Sequence, residues 1–194
     1  MARVKWRSPG SAVVLGGILW LAGVVVLEAQ HDQESDSLPP AFPALAVLAG
    51  ALVCRGMWVA ARTWPRRMAR VSARLMAACA LMLGLGFGAH LLPFDTFLAF
   101  LVSYTVLLFL LPVAFAALGV VALRAPPLPH WAGWSALAVA ASAVVTYGFH
   151  ALARDVWDPP DAVWFIAVGG GWVLLGVAMA RADAAPVPGE DADA

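Results

Sequence analysis

Six apolar runs divide the chain, and each is close to the length a bilayer demands. They cover residues 11–27, 41–61, 71–92, 96–123, 131–150 and 162–180. A helix needs about 17–25 mostly apolar residues to cross the hydrocarbon core. The pattern predicts an all-α fold: a polytopic transmembrane helix bundle of about six helices, forming one domain over residues 1–180. The links between runs are short, and none has room for a soluble catalytic domain. Beyond residue 180 the chain turns polar, with Pro186, Pro188, Glu190, Asp191 and Asp193. Residues 181–194 therefore read as a disordered tail, because such a segment buries too little apolar surface to offset its ordering entropy.

The fourth run is too long for a straight span. Its 28 residues would extend about 42 Å at 1.5 Å per residue, against a core of about 30 Å. Pro112, near its middle, removes one backbone hydrogen bond and predicts a kink; a moving hinge is the sharper alternative. The first run has a second reading as a cleaved signal sequence, since Arg3, Lys5 and Arg7 precede it. Leu27-Glu28-Ala29 is a poor cleavage site, because Leu27 stands where a small residue is wanted. A retained helix is the expectation.

Charge sets the orientation. Arg3, Lys5 and Arg7, then Arg62, Arg66, Arg67, Arg70 and Arg74, then Arg124 and Arg181 all fall on one side of the six runs. The other side's links hold Glu28, Asp32, Glu34, Asp36, Asp95, Asp155, Asp158 and Asp161, with Arg154 as their one strong base. The positive-inside rule puts the basic side in the cytoplasm. Six spans then leave both termini and the tail inside. Most of the tryptophans (Trp6, Trp20, Trp58, Trp64, Trp131, Trp134, Trp157 and Trp164) fall near expected interfaces, as aromatic belts do.

Composition agrees. The chain is 62% hydrophobic and only 12% charged, against about 25% charged for a soluble domain. A formal net charge of zero gives no global field to draw nucleic acid, so none is expected as a partner. Eleven arginines against one lysine, with no asparagine, point to a GC-rich, bacterial genome. The expected location is the bacterial cytoplasmic membrane, with the lipid bilayer as the first partner. Cys54 and Cys79 lie inside apolar runs, form no CxxC and read as small buried hydrophobes.

Glycines suggest close helix packing. Gly84 and Gly88 form a GxxxG; Gly16, Gly17 and Gly23 lie in the first run, and Gly169, Gly170 and Gly171 in the last. Small residues let backbones approach where lipid gives no hydrophobic drive. Packing within the chain is the default reading. A homodimer through Gly84 and Gly88 is the alternative.

Chemistry-bearing residues are few. Arg55 sits about six residues inside the second run, roughly 9 Å deep. It either snorkels to the interface or faces an anionic substrate or quinone oxygen. No Asp or Glu lies mid-run, which argues against a deep carboxylate relay. On the acidic side, His31, His90 and His150 are each followed five residues later by Asp36, Asp95 and Asp155. The histidines are spaced 59 and 60 residues apart, and Gly86-Phe87 and Gly148-Phe149 both sit just before a histidine. This is the mark of three repeated helical hairpins, or simply of uniform hairpins with acidic loops. As a site, His31, His90 and His150 would hold a divalent metal such as zinc, copper or manganese, with the aspartates beside them. Haem would need His90 and His150 on facing helices at one depth. Tyr104 and Tyr147, with Ser103, Thr105 and Thr146, either line an outward-opening pocket with these histidines or, for the Ser and Thr, bond to their own helix carbonyls.

No Gly-rich phosphate loop, helical HExxH or prenyltransferase aspartate cluster is present, so no cofactor is expected outright and enzymatic activity is not the favoured reading. Three functions stay open, in this order. The first is a non-catalytic accessory, assembly or regulatory membrane subunit, with another membrane protein as partner. The second is a small-solute or metal transporter or channel with an extracytoplasmic His/Asp site. The third is a membrane redox protein binding haem or quinone.

Overall fold

The computed structural model describes residues 8–30, 39–92, 97–124, 128–152 and 161–184, and no strand occurs among them. The helices are α1 Pro9–Gln30, α2 Ala41–Thr63, α3 Arg67–Gly88, α4 Phe97–Thr105, α5 Leu111–Arg124, α6 His130–Leu152 and α7 Asp161–Ala184. A short 3-10 turn, Ala89–Leu91, extends α3, and a π turn, Val106–Leu110, joins α4 to α5. Among the described residues five spans are long and apolar enough to cross a membrane. α6 completes a set of six long helical segments.

Local sequence sets the ends. Ser8 caps α1: the Ser11 N–H donates to Ser8 Oγ (3.2 Å) and the Ser11 hydroxyl donates to Ser8 O (2.8 Å). Pro9 then occupies the first helical position, where its missing N–H costs nothing. Trp64, which precedes Pro65, takes φ −69° and ψ 134° and ends α2. Leu92, before Pro93, is extended in the same way. Proline disfavours a helical residue ahead of it.

The long fourth run bends its hydrogen-bond register at the place Pro112 dictates. Without a proline N–H, the carbonyl four residues back loses its partner. Just ahead of it the Leu111 N–H reaches Val106 O, five residues back, widening one turn. Such π turns are how helices absorb local misfit. Elsewhere the helices outrun the apolar runs. The third begins at Arg67 rather than residue 71, and the last reaches Ala184, taking Arg181 to Ala184 out of the expected tail. A charged turn at the interface keeps its helical bonds although hydropathy falls. The remaining tail, 185–194, lies outside the described residues.

The helices pack in chain order. α1 lies on α2, α2 on α3, α3 on α4 and α5, α5 on α6, and α6 on α7, which closes on α1. All three sequential hairpins are in contact, but some of the closest packing, α2 on α3 and α1 on α7, runs between them. Large apolar side chains face outward, among them Val144 at 71% exposed, Phe109 at 66% and Leu85 at 64%. Water would penalise such a surface; lipid does not. The fold is an all-helical, multi-pass membrane bundle.

Its interior is filled by Trp20, Trp164, Trp172, Phe42, Phe115 and Met76, all fully buried. Trp20 and Trp164, expected near the interface belts, are core residues instead. Trp58, Trp131 and Trp134 are exposed, and the first two sit under Arg62 and Arg181 at 5.7 and 5.9 Å. These cation–π pairs mark the level of the basic end of the bundle.

Glycine brings the backbones together. A Cβ added at Gly176 would lie 2.5 Å from Val14 N, and one at Gly17 would lie 2.8 Å from Gly169 O. Gly84 faces Ala46, Val47 and Gly50, while Gly88 faces Val47. The GxxxG of α3 therefore serves packing onto α2 inside the chain, and a dimer through those two glycines would have to part α2 from α3.

Candidate functional site

The predicted site residues fall at two ends of the bundle. His90 belongs to the 3-10 turn at the acidic end of α3. It is half-buried, its ring 6.4 Å from that of Phe87, and its Nε2 is buried with no hydrogen-bond partner among the described residues. A buried, unmet imidazole nitrogen carries a desolvation cost of about 1–3 kcal/mol, so it marks a place where a ligand, a water or a neighbouring loop has something to gain.

Tyr147 lies half-buried on α6, its ring 6.4 Å from Trp164 of α7 and nearly perpendicular to it at 83°. Tyr104 is half-buried on α4, beside fully buried Ser103. Thr146 is also buried. Thr105 behaves as the bland alternative foresaw, its hydroxyl donating to Leu101 O at 2.8 Å. Ser135 and Ser142 of α6 likewise donate to Ala132 O and Val139 O. His150 lies in α6, but its side chain is outside the described set, and His31, Asp36, Asp95 and Asp155 lie outside the described residues. Among the described residues no three His, Cys, Asp or Glu side chains gather where they could hold a metal.

Beneath this end sits an aromatic knot. Trp20 donates its indole N–H to Phe165 O (2.9 Å), linking α1 to α7. Its ring stacks on Phe165 (5.7 Å, 11°) and meets Phe42, Phe87 and Trp172 edge-on, at 6.0, 5.9 and 5.4 Å. Edge-on and stacked pairs each add about 0.5–1.5 kcal/mol beyond area burial. The indole N–H groups of Trp164 and Trp172 are buried without a partner among the described residues. The sequence offered a signal for this knot, a Trp set in the middle of the first apolar run, but belt logic assigned it to the surface.

Arg55 does not belong with these residues. It lies on α2 toward the basic end, while His90 lies at the other end of α3, on the order of 20 Å away by helical rise. Its side chain is exposed. It lines a cleft of about 230 Å³ between α1 and α2, together with Ser8, Ser11, Leu15, Leu52 and Val59. Ser8 and Ser11 were not singled out from the sequence. Ser-Pro-Gly-Ser is a legible helix start, yet nothing in it announces that α2 brings an arginine alongside.

No protein-family model matches the chain, and no curated protein or solved structure does either.

Proposed function

We propose that this chain is a non-catalytic accessory, assembly or regulatory subunit of the bacterial cytoplasmic membrane, with the basic end of the bundle in the cytoplasm. The observation that carries the reading is the filled, glycine-knit interior. Trp20, Trp172 and Phe115 occupy the space between helices, and α1 meets α7 backbone to backbone at Gly10, Gly17 and Gly176. Alternating access needs two packings of similar free energy. A closely interlocked core favours one. Such a bundle suits a scaffold that presents its lipid-facing surface to another membrane protein.

A second reading draws on the acidic end. Buried Ser103 and Thr146, a His90 Nε2 unmet among the described residues and the π turn of the fourth span favour handling of a small solute or metal from the extracytoplasmic side.

Native mass spectrometry of gently purified protein, with metal analysis and a visible spectrum, separates these. A stoichiometric co-purifying membrane subunit is expected. Bound metal would replace the first reading with the second, and a Soret band would replace both with a haem protein. For orientation, reporter fusions after Asp36, Asp95 and Asp161 should read extracytoplasmic, and those after Arg67, Arg124 and Asp183 cytoplasmic. An odd number of side changes would overturn the six-span arrangement.

A further inference from the structure

At the basic end α1 begins well short of where α2 stops. A Cβ on Gly56 would lie 2.6 Å from Pro9 O, so the first turn of α1 sits beside the turn of α2 that carries Arg55. α2 continues seven residues beyond Gly56, to Thr63. Where the first two turns of α1 run alongside α2 lies the 230 Å³ cleft. Its volume is on the scale of a phosphate with its glycerol.

The lining of the cleft is ordered along the membrane normal. Ser8 and Val59 stand at its basic end, Ser11 and Arg55 one turn in, and Leu52 and Leu15 deepest. No hydrogen bond or ion pair joins Arg55 to another described residue. A cation inside an apolar span is costly unless it finds a counter-charge or water. The guanidinium fork matches a phosphate through two parallel hydrogen bonds. Ser8 Oγ accepts from the Ser11 N–H, which leaves its own hydroxyl proton to donate. Beyond the charge, Leu15 is 39% exposed and offers an alkyl surface continuous with the lipid-facing side. Hydroxyl and cation toward the basic end, with hydrocarbon below them, is the polarity of a phospholipid, not of a free anion.

We propose that this cleft binds one anionic phospholipid, its phosphate on Arg55 and Ser8 and an acyl chain along Leu15 and Leu52. The site is independent of which partner or solute the rest of the bundle serves, and needs only that the bundle lie in a bilayer.

The test is native mass spectrometry of the full chain released from nanodiscs of equal phosphatidylglycerol and phosphatidylcholine. Wild type should retain one phosphatidylglycerol. Arg55→Gln should retain it at least about tenfold more weakly, and Arg55→Lys should fall between, since an ammonium lacks the fork. Arg62→Gln, which removes a nearby charge outside the cleft, should match wild type. Ala12 of α1 also lines the cleft, so Ala12→Leu fills it and leaves the arginine in place. It should lose the lipid too, and it carries the test if Arg55→Gln does not fold. Equal retention by wild type and both cleft variants would overturn the site. Displacement of the lipid by millimolar inorganic phosphate would overturn the lipid assignment in favour of a soluble anion.

Discussion

The α1–α7 seam and the α5–α6 pair are both built on glycine, but they spend it differently. Along α1–α7, close approaches recur over about three turns, from the basic end to the middle of the bundle. Gly10 lies against Gly176 and Ala180, Gly17 against Gly169 and Val173, and Gly169 against Trp20 and Leu21. Between α5 and α6 the glycine contact among the described residues is at one place, where Gly119 and Gly133 face each other near the basic end. Beyond that pin the chain carries its π turn and Pro112, and α4 turns to α3 while α6 turns to α7. The buried hydroxyls of Ser103 and Thr146 lie beyond the pin as well. In lipid, dispersion contacts between close backbones supply much of helix association. The continuous seam should therefore hold the fold, and the singly pinned pair should be where the bundle tolerates change and carries polarity.

The strongest way to break that contrast is to crowd the seam. Gly176→Leu places a side chain against the α1 backbone, where only a helix shift can make room. Overpacking costs about 1–3 kcal/mol even where side chains can adjust, and here backbone must move. Loss of monodisperse protein on gel filtration is expected. Gly170, one residue from Gly169, has nothing within 4 Å of an added Cβ. Gly170→Leu should stay within about 0.5 kcal/mol of wild type in detergent unfolding. If both variants behave alike, the seam is not what holds the bundle.

A smaller effect is expected at the knot. Trp20→Phe deletes the bond to Phe165 O and trims a filled core, for a loss of about 1–2 kcal/mol. Trp58→Phe, on the exposed face, should be near neutral. Thermal unfolding of the two variants side by side checks the difference.

These two tryptophans also show what the sequence could and could not say. Helix number, the six runs and the need for a break near Pro112 follow from length and backbone chemistry, which are local. Whether a tryptophan points to headgroups or to neighbours depends on which helices adjoin, and one apolar helix looks alike on every side. Depth in the run separates Trp20 from Trp58, but which neighbours Trp20 meets is legible only once packing is known. The same holds for Arg55: its depth along α2 is readable, but the cleft depends on the first turns of α1 lying beside it. Arg67 and Asp183 fall within helices for a related reason, since hydropathy reports the solvent around a turn and not its hydrogen bonds. The histidine spacing is an arithmetic regularity that only the geometry of the connecting loops can turn into a site. His90 is the one of the three whose side chain is described.

A milder perturbation sharpens the comparison on the α4–α6 side. Pro112→Ala restores an N–H to the fourth span. The register should relax toward regular α-helix, with slower amide exchange across Val106–Leu110 and a stability change under about 1 kcal/mol. Unchanged exchange would show that the π turn is set by packing and not by the proline.

The least change is expected from Arg55→Lys read as a folding variant. Lysine also reaches the headgroups, so yield and unfolding temperature should match wild type. A fall in either would give Arg55 a structural partner that the described residues do not contain.

The order of the ring bears on how the chain is made. Helices leave the ribosome one after another, and here α1 packs against α7, five long helical segments later in the ring. Until α7 is inserted, the glycine stripe of α1 has only α2 to meet, and the indole N–H of Trp20 waits for Phe165, a carbonyl 145 residues downstream. A half-synthesised chain therefore keeps an open groove toward lipid along α1, available to an insertase or to membrane proteases. The ring can close only once α7 has been made and has met α1.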